Sequence, residues 1–188
     1  MSTNSLVAYM NKDWEVTSSY VHYDGYTTGV GEMLLEKYNT KEKAHELATT
    51  LGYASGLSET VEKSHEGRAN TDEPIAYENY LDFEEYIRES SYLEYVYVWV
   101  ESEGKWQVAT WETTKLSTLS EEGYEFRYDW NGFEDLAPVF VREGIETVKR
   151  MRKLAEEGSG SDYATGADEL ETTIYKHAIE ENLEVENA

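Results

Sequence analysis

A histidine and an aspartate, His22 and Asp24, stand two residues apart in the sequence. On a β-strand such residues project from the same face. There both side chains could bind one divalent metal ion, or the carboxylate could orient the imidazole of a general base. Spacing identifies no third ligand and no nucleophile. Two interpretations stay open: a small metal-dependent enzyme using His22 and Asp24, and a strand-end histidine hydrogen-bonded to an aspartate in a turn.

Three glycines, Gly25, Gly29 and Gly31, precede a segment with helical spacing. A glycine-rich turn before a helix can hold phosphate groups. This turn lacks the Gly-Lys-Ser/Thr ending of a phosphate-binding loop and the spacing of the dinucleotide fingerprint, so a plain strand-to-helix connection is favoured. Signatures of zinc sites, EF-hands, serine triads and kinases are also missing, and the chain has no cysteine. We predict no cofactor.

The strongest chemical signal is an excess of carboxylates. The chain has 39 Asp and Glu against 16 Lys and Arg, a formal net charge of -23. This charge argues against direct binding to nucleic acid or to an anionic membrane. Residues 59–104 carry 13 acidic and 3 basic side chains and residues 154–188 carry 10 and 1, whereas residues 105–153 carry 9 and 8. If the two unbalanced blocks bind a partner, we expect them to converge on one face.

Carboxylates spaced along strands or helices can present a DNA-like array of negative charge to a basic groove. The matching partner is a basic host protein such as a nuclease, a restriction complex or a transcription component, and opposite charge would accelerate association. The alternative is a solubilising surface without a partner. The candidate partner-binding residues are Glu59, Glu62, Glu66, Glu78, Asp82, Glu84, Glu85, Glu89, Asp168, Glu169, Glu171, Glu180, Glu181 and Glu184.

The apolar pattern predicts an α+β fold in which a small antiparallel sheet, built from hairpins, packs against helices. Alternating residues predict one hairpin from 6–10 and 14–22 and another from 93–100 and 106–111. Both faces of the 93–100 strand are apolar, so it is expected to be central. Further short strands are predicted at 75–80 and 124–128.

Helical spacing predicts a helix over 30–38 and a second helix that is capped by Thr40, carries an apolar stripe from 44 to 51 and ends at Gly52. Residues 53–74 show no period and are predicted to be irregular. Asp82 is expected to cap a short helix.

Two more helices are predicted in the C-terminal part. Asp135 and Pro138 signal the start of one that ends at about 156, and an amphipathic helix is expected at about 167–182. The Gly/Ser-rich residues between them are predicted to be a flexible linker. We therefore divide the chain into an α+β domain, residues 1–157, and a linker with an acidic C-terminal helix, residues 158–188.

Composition predicts a folded cytoplasmic protein. The chain carries 16 Tyr and 5 Trp, whereas disordered acidic chains are poor in aromatic residues. No apolar run approaches the roughly 20 residues that span a bilayer, and the first residues lack the pattern of a signal peptide. The aromatic content also allows a virion or scaffold component held in a homo-oligomer.

An ordered set of motifs runs through the chain: Tyr20-Val-His-Tyr-Asp-Gly-Tyr26, Gly29-Val-Gly31, Leu34-Leu-Glu-Lys-Tyr38, Leu51-Gly-Tyr-Ala-Ser-Gly-Leu57, Tyr95-Val-Tyr-Val-Trp99 and Gly104-Lys-Trp-Gln-Val108. In this order they resemble a family of small phage and prophage proteins, over about residues 5–112. Thr27 and Thr28 stand where relatives have Pro-Glu, so that turn is expected to differ. The resemblance implies phage origin and a compact α+β fold, and it supplies no catalytic residues.

Phage origin and concentrated acidity favour a non-enzymatic accessory protein. It would bind and inhibit a host nucleic-acid-handling protein in the manner of a DNA mimic, for counter-defence or host takeover. The metal-dependent enzyme and the virion or scaffold component remain the alternatives.

Overall fold

The first strand of the chain lies in the middle of a mixed β-sheet. The computed structural model describes residues 3–66, 72–120, 123–158, 162–183 and 185. Strands β1 (Ser5–Met10) and β2 (Val16–Val21) form the predicted N-terminal hairpin. The other edge of β1 pairs in parallel with β5 (Tyr95–Val100), with Ser5 opposite Tyr95.

The second predicted hairpin is also confirmed, because β5 pairs antiparallel with β6 (Lys105–Ser120). The outer half of β6 pairs with β7 (Gly123–Trp130), which contains the strand predicted at 124–128. Short strands lie beside β2 and β6: β3 (Tyr53–Ala54) and β4 (Ile75–Tyr77) pair with β2, and β8 (Glu134–Asp135) pairs with β6. The α+β class is confirmed. The sheet is mixed rather than wholly antiparallel, because β1 pairs in parallel with β5 and β2 with β3.

Helices cover both faces of this sheet. A π-helical turn at Thr27–Gly31 leads directly into the first of them. The α-helices are α1 (Glu32–Lys37), α2 (Lys41–Thr50), α3 (Val61–Ser64), α4 (Tyr80–Glu89), α5 (Leu136–Glu156) and α6 (Asp162–Glu180). Among the described residues, none of the helices has the length and apolarity to cross a membrane.

Helix boundaries follow local side-chain chemistry, with two differences from prediction. Thr40 caps α2 as predicted, since its side chain accepts from the Lys43 backbone N–H. The cap of α4 is Asn79, whose Oδ1 accepts from the backbone N–H groups of Leu81 at 2.9 Å and Asp82 at 3.1 Å. The prediction of Asp82 as the cap was wrong. Residues 53–74 were expected to be irregular, but the described part contains β3 and α3.

Alternating residues of β1 enter two separate hydrophobic clusters. Val7 and Tyr9 pack with buried residues of α1, α2, α5 and α6. Leu6 and Ala8 pack with Phe83 of α4 on the other face. Because successive side chains of a strand point to opposite faces, the sheet separates α4 from the other long helices.

The C-terminal helix packs into the first of these clusters. Its buried side chains Leu170, Ile174 and Ala178 lie against the core. His177 is also buried, and its Nε2 lies 2.8 Å from Oε1 of Glu36 in α1. The acidic helix is therefore attached both by apolar burial and by a polar contact.

Candidate functional site

His22 and Asp24 do not contact each other. Nδ1 of His22 lies 3.1 Å from the Tyr20 hydroxyl, and its ring contacts the rings of Tyr23 and Tyr53. Asp24 has left the strand, with φ of 58°, and its carboxylate accepts a 3.1 Å hydrogen bond from the Tyr26 hydroxyl. In the part of the chain that the structure describes, no three His, Asp or Glu side chains stand together as a metal site requires.

The glycine-rich turn is packed tightly against the sheet. The Tyr97 hydroxyl, fully buried, donates to the carbonyl oxygen of Gly25 at 2.7 Å. A Cβ at position 25 would lie 2.6 Å from the backbone oxygen of Thr3, so only glycine fits there. These contacts give the turn a structural role as the connection between strand and helix.

Helix α4 carries a stripe of exposed carboxylates. Asp82, Glu85 and Glu89 share one helix face at the spacing i, i+3 and i+7, and all three are exposed. Among the described residues, none of the three forms an ion pair, and neither does exposed Glu78. Glu84 differs, because its Oε1 lies 2.9 Å from the Arg88 guanidinium. We call Asp82, Glu85 and Glu89 the α4 stripe.

Large apolar side chains are exposed beside the α4 stripe. Leu81 is 71% exposed, and Ile75 on the neighbouring strand β4 is 45% exposed. Trp14, in the turn between β1 and β2, is 60% exposed and its ring meets that of Tyr80 edge-on at 6.5 Å. Exposed apolar groups and carboxylates therefore both occur on this side of the molecule.

The other candidate carboxylates lie elsewhere. Asp168 and Glu171 on α6 both pair with Arg152, and Glu180 lies 3.4 Å from Nδ1 of His177. Glu59 pairs with Lys63 in the α3 region. The remaining candidates are exposed Glu62, Glu66, Glu169 and Glu181, and Glu184, which lies outside the described residues.

The middle acidic block is divided between the two sides of the sheet. Val61 of α3 and Ile174 of α6 belong to one hydrophobic cluster, and Phe83 of α4 belongs to the cluster on the other side of the sheet. The expectation that the whole of both blocks converges on one face is therefore wrong, because α4 lies across the sheet from α3 and α6. Linear charge density does not reveal on which side of a sheet a helix packs.

Sequence reasoning missed two cavities. The larger, about 910 Å³, lies between the π-helical turn, α5 and α6. Glu143 lines it and accepts a 2.6 Å hydrogen bond from Thr27 Oγ1. Burial raises the pKa of the Glu32 carboxyl, also in the wall. Arg150 brings positive charge to the same wall. The lining comes from segments far apart in the chain, so no local pattern could have indicated it.

The smaller cavity, about 290 Å³, opens on the α4 side of the sheet. Its walls include four tyrosines, Tyr20, Tyr53, Tyr86 and Tyr92. The tyrosine richness of the chain was visible in the sequence, but the meeting of these four was not.

Comparison with protein-family models, curated protein sequences and solved structures found no match to this chain.

Proposed function

We propose that this protein is a non-enzymatic, phage-encoded accessory protein that binds a basic surface of a host nucleic-acid-handling protein. By occupying that surface as DNA would, it inhibits its partner in the host cytoplasm. The observation that carries the proposal is the α4 stripe, where Asp82, Glu85 and Glu89 stand without basic partners beside exposed apolar side chains.

Two carboxylates of the α4 stripe, Glu85 and Glu89, are like charges at the spacing i and i+4, which costs stability. Neighbouring like charges on a helix destabilise it by about 0.2–0.5 kcal/mol per pair. Some carboxylates elsewhere in the protein do form ion pairs, as Asp168 does with Arg152. Negative charge kept unpaired on an exposed helix supports a role in binding, because a basic partner would supply the missing cations.

The exposed apolar groups would supply affinity that charge alone does not. Opposite charges mainly increase the association rate and the specificity of a complex. Affinity comes largely from a few desolvated side chains, among which Trp is enriched. Trp14, which is 60% exposed and in ring contact with the first residue of α4, is placed to serve as such a contact.

The proposal places one contact surface on the α4 side of the sheet. The C-terminal carboxylates then contribute long-range negative potential and solubility, since several of them are engaged in ion pairs within the fold. A chain with a net charge of -23 repels nucleic acid, so the partner is a protein.

The test compares charge reversal on the two sides of the sheet. One variant carries Asp82→Lys, Glu85→Lys and Glu89→Lys. The matched control carries Glu62→Lys, Glu169→Lys and Glu181→Lys, which changes the net charge equally on the opposite side. Each protein is used to capture partners from host lysate. DNA and RNA are then tested for their ability to compete with the protein for the captured partner.

We expect the α4 variant to bind about tenfold or more weakly, and the control to keep most of its affinity. Binding should weaken as salt rises, because salt screens exposed charges. Salt-insensitive binding, a partner without a nucleic-acid-binding surface, or equal loss in both variants would contradict the proposal.

A further inference from the structure

The cavity of about 290 Å³ lies beside the α4 stripe and belongs to the same surface. One of its walls is Tyr86, which is a helical neighbour of Asp82 and Glu89 at i−4 and i+3. A ligand in the cavity would therefore stand next to the stripe. The cavity is at the lower limit of small-molecule sites, so its size suits a single side chain.

Three aromatic rings lie close together at this cavity. The ring of Tyr20 lies 5.4 Å from that of Tyr53 at 37°, and 6.0 Å from that of Tyr92 at 69°. The Tyr86 and Tyr92 hydroxyls are 2.8 Å apart and share a hydrogen bond. We call these four residues the tyrosine cage. The face of an aromatic ring is negative and attracts cations.

Two acidic residues lie at the cage. Asp72 and Glu73 line the cavity, and no residue that lines it in the described part of the chain is basic. Burial raises the pKa of the Tyr20 phenol to about 12, with further contributions from Tyr53, Tyr92 and Glu94. The Tyr20 phenol therefore stays neutral at physiological pH.

We propose that the tyrosine cage binds the guanidinium group of an arginine side chain on the partner. The inference deepens the proposed function and rests on it for the identity of the arginine's owner. Guanidinium is planar, stacks on aromatic faces and is more weakly hydrated than ammonium. It therefore loses less hydration than lysine would on entering a mostly apolar cavity, and it keeps its charge near Asp72 and Glu73.

The direct test needs no partner protein. The full chain, isotope-labelled, is titrated by NMR with N-acetyl-arginine amide, and in parallel with the amides of N-acetyl-citrulline and N-acetyl-lysine. Citrulline matches arginine in shape without the charge. We expect shifts centred on the tyrosine cage, and binding of arginine at least about tenfold tighter than that of citrulline.

Variants of Tyr92, an exposed residue of the cage, distinguish the contribution of its ring to arginine binding from that of its hydroxyl group. A substitution outside the cage controls for general effects. Tyr92 is 48% exposed, so substitution there should leave the fold intact. Tyr92→Leu should weaken arginine binding severalfold, because it removes a ring face. Tyr92→Phe should weaken it little, because the ring remains. Tyr163→Leu, at an exposed tyrosine of α6, is the matched control and should have no effect.

Several outcomes would overturn the assignment. They are absence of binding up to the solubility limit of the arginine amide, equal affinity for arginine and citrulline, tighter binding of lysine, or equal loss in Tyr92→Leu and Tyr163→Leu. The two proposals fail separately. Arginine binding in the cage with no effect of α4 charge reversal would contradict the proposed function alone, and the converse would contradict the cage alone.

Discussion

Ile174 of α6 lies directly against the backbone of Gly144 in α5. A Cβ atom at position 144 would stand 2.7 Å from Cδ1 of Ile174 and 2.8 Å from its Cγ1. Ile174 is 1% exposed, so its side chain has no open space into which it could move. The missing side chain of Gly144 thus allows the acidic C-terminal helix to pack closely on the helix before it.

Gly144→Ala should therefore destabilise the protein. In an unobstructed helix this change stabilises by up to about 1 kcal/mol, but overpacking a well-packed core costs about 1–3 kcal/mol. We expect a net loss of about 1 kcal/mol in the free energy of unfolding, measured by urea denaturation.

Gly166→Ala is the matched control, because it is also a helical glycine. A Cβ at position 166 would lie 2.8 Å from Cε of Met151, the mobile end of a flexible side chain. This variant should be as stable as the parent or slightly more stable. A stabilised Gly144→Ala protein would show that Ile174 can move aside.

Sequence periodicity predicted the elements better than their arrangement. Both hairpins and the stripe of α5 repeat over short distances, so they were visible as alternation and helical spacing. The parallel pairing of Ser5 with Tyr95 was not visible in the sequence. The residues of an apolar strand do not indicate whether its neighbour runs parallel or antiparallel to it. The closeness of Gly144 and Ile174 likewise depends on two helices meeting, which no pattern within either helix specifies.

Tyr97→Phe should cost about 0.5–1.5 kcal/mol of unfolding free energy, or more if the freed acceptor stays dry. The Tyr97 hydroxyl donates to the Gly25 carbonyl at 2.7 Å, and Tyr97 is fully buried. Tyr95→Phe is the control on the same strand face, where the two rings stack at 6.2 Å. Chemical denaturation should show no comparable loss in Tyr95→Phe, and equal losses would contradict a specific role of the hydrogen bond.

Glu36→Gln should lower stability at neutral pH but not in acid. Burial by itself raises the pKa of the Glu36 carboxyl, but hydrogen bonds from Lys176 and His177 outweigh it and hold the pKa below its ordinary value. A depressed folded-state pKa stabilises the protein above the unfolded value of about 4.3. That contribution is lost as pH falls through the folded-state pKa. Denaturation at a series of pH values should show the parent and the variant converging in acid.

Glu32→Gln is the comparison for this pH experiment, because the ionised Glu32 carboxyl is expected to affect stability in the opposite direction. Burial raises the pKa of the Glu32 carboxyl, so its ionisation disfavours the folded state as pH rises through the window above about 4.3. The variant should match or exceed the parent in stability at neutral pH. A parallel loss in both variants would contradict the assignment of these two environments.

Trp14→Asn should keep the fold while it weakens partner binding. Trp14 has φ of 66°, a left-handed conformation that costs most residues about 1–2 kcal/mol and that Asn tolerates. Relief of this strain should offset the loss of the ring contact with Tyr80. Thermal unfolding should show stability unchanged or slightly raised, while affinity for a captured partner falls. Lower stability with unchanged affinity would show that Trp14 serves the fold.

The candidate surface could be predicted only in part. Helical spacing correctly placed Asp82, Glu85 and Glu89 on the outer face of α4, because a single helix determines it. Their separation from α6 by the sheet was not predictable, since it follows from which face of β1 each helix covers. The tyrosine cage was hidden for the same reason: Tyr20 and Tyr92 come from distant segments.

The parallel pairing of β1 with β5 also affects the order in which the chain can fold during synthesis. Its N-terminal hairpin emerges early, yet the strand that covers the free edge of β1 is complete only at residue 100. Until then the apolar strand Leu-Val-Ala-Tyr-Met exposes an unpaired edge. Closing such a long loop is slow. In that interval the strong negative charge of the chain should reduce aggregation through the unpaired edge, because unfinished chains of like charge repel each other.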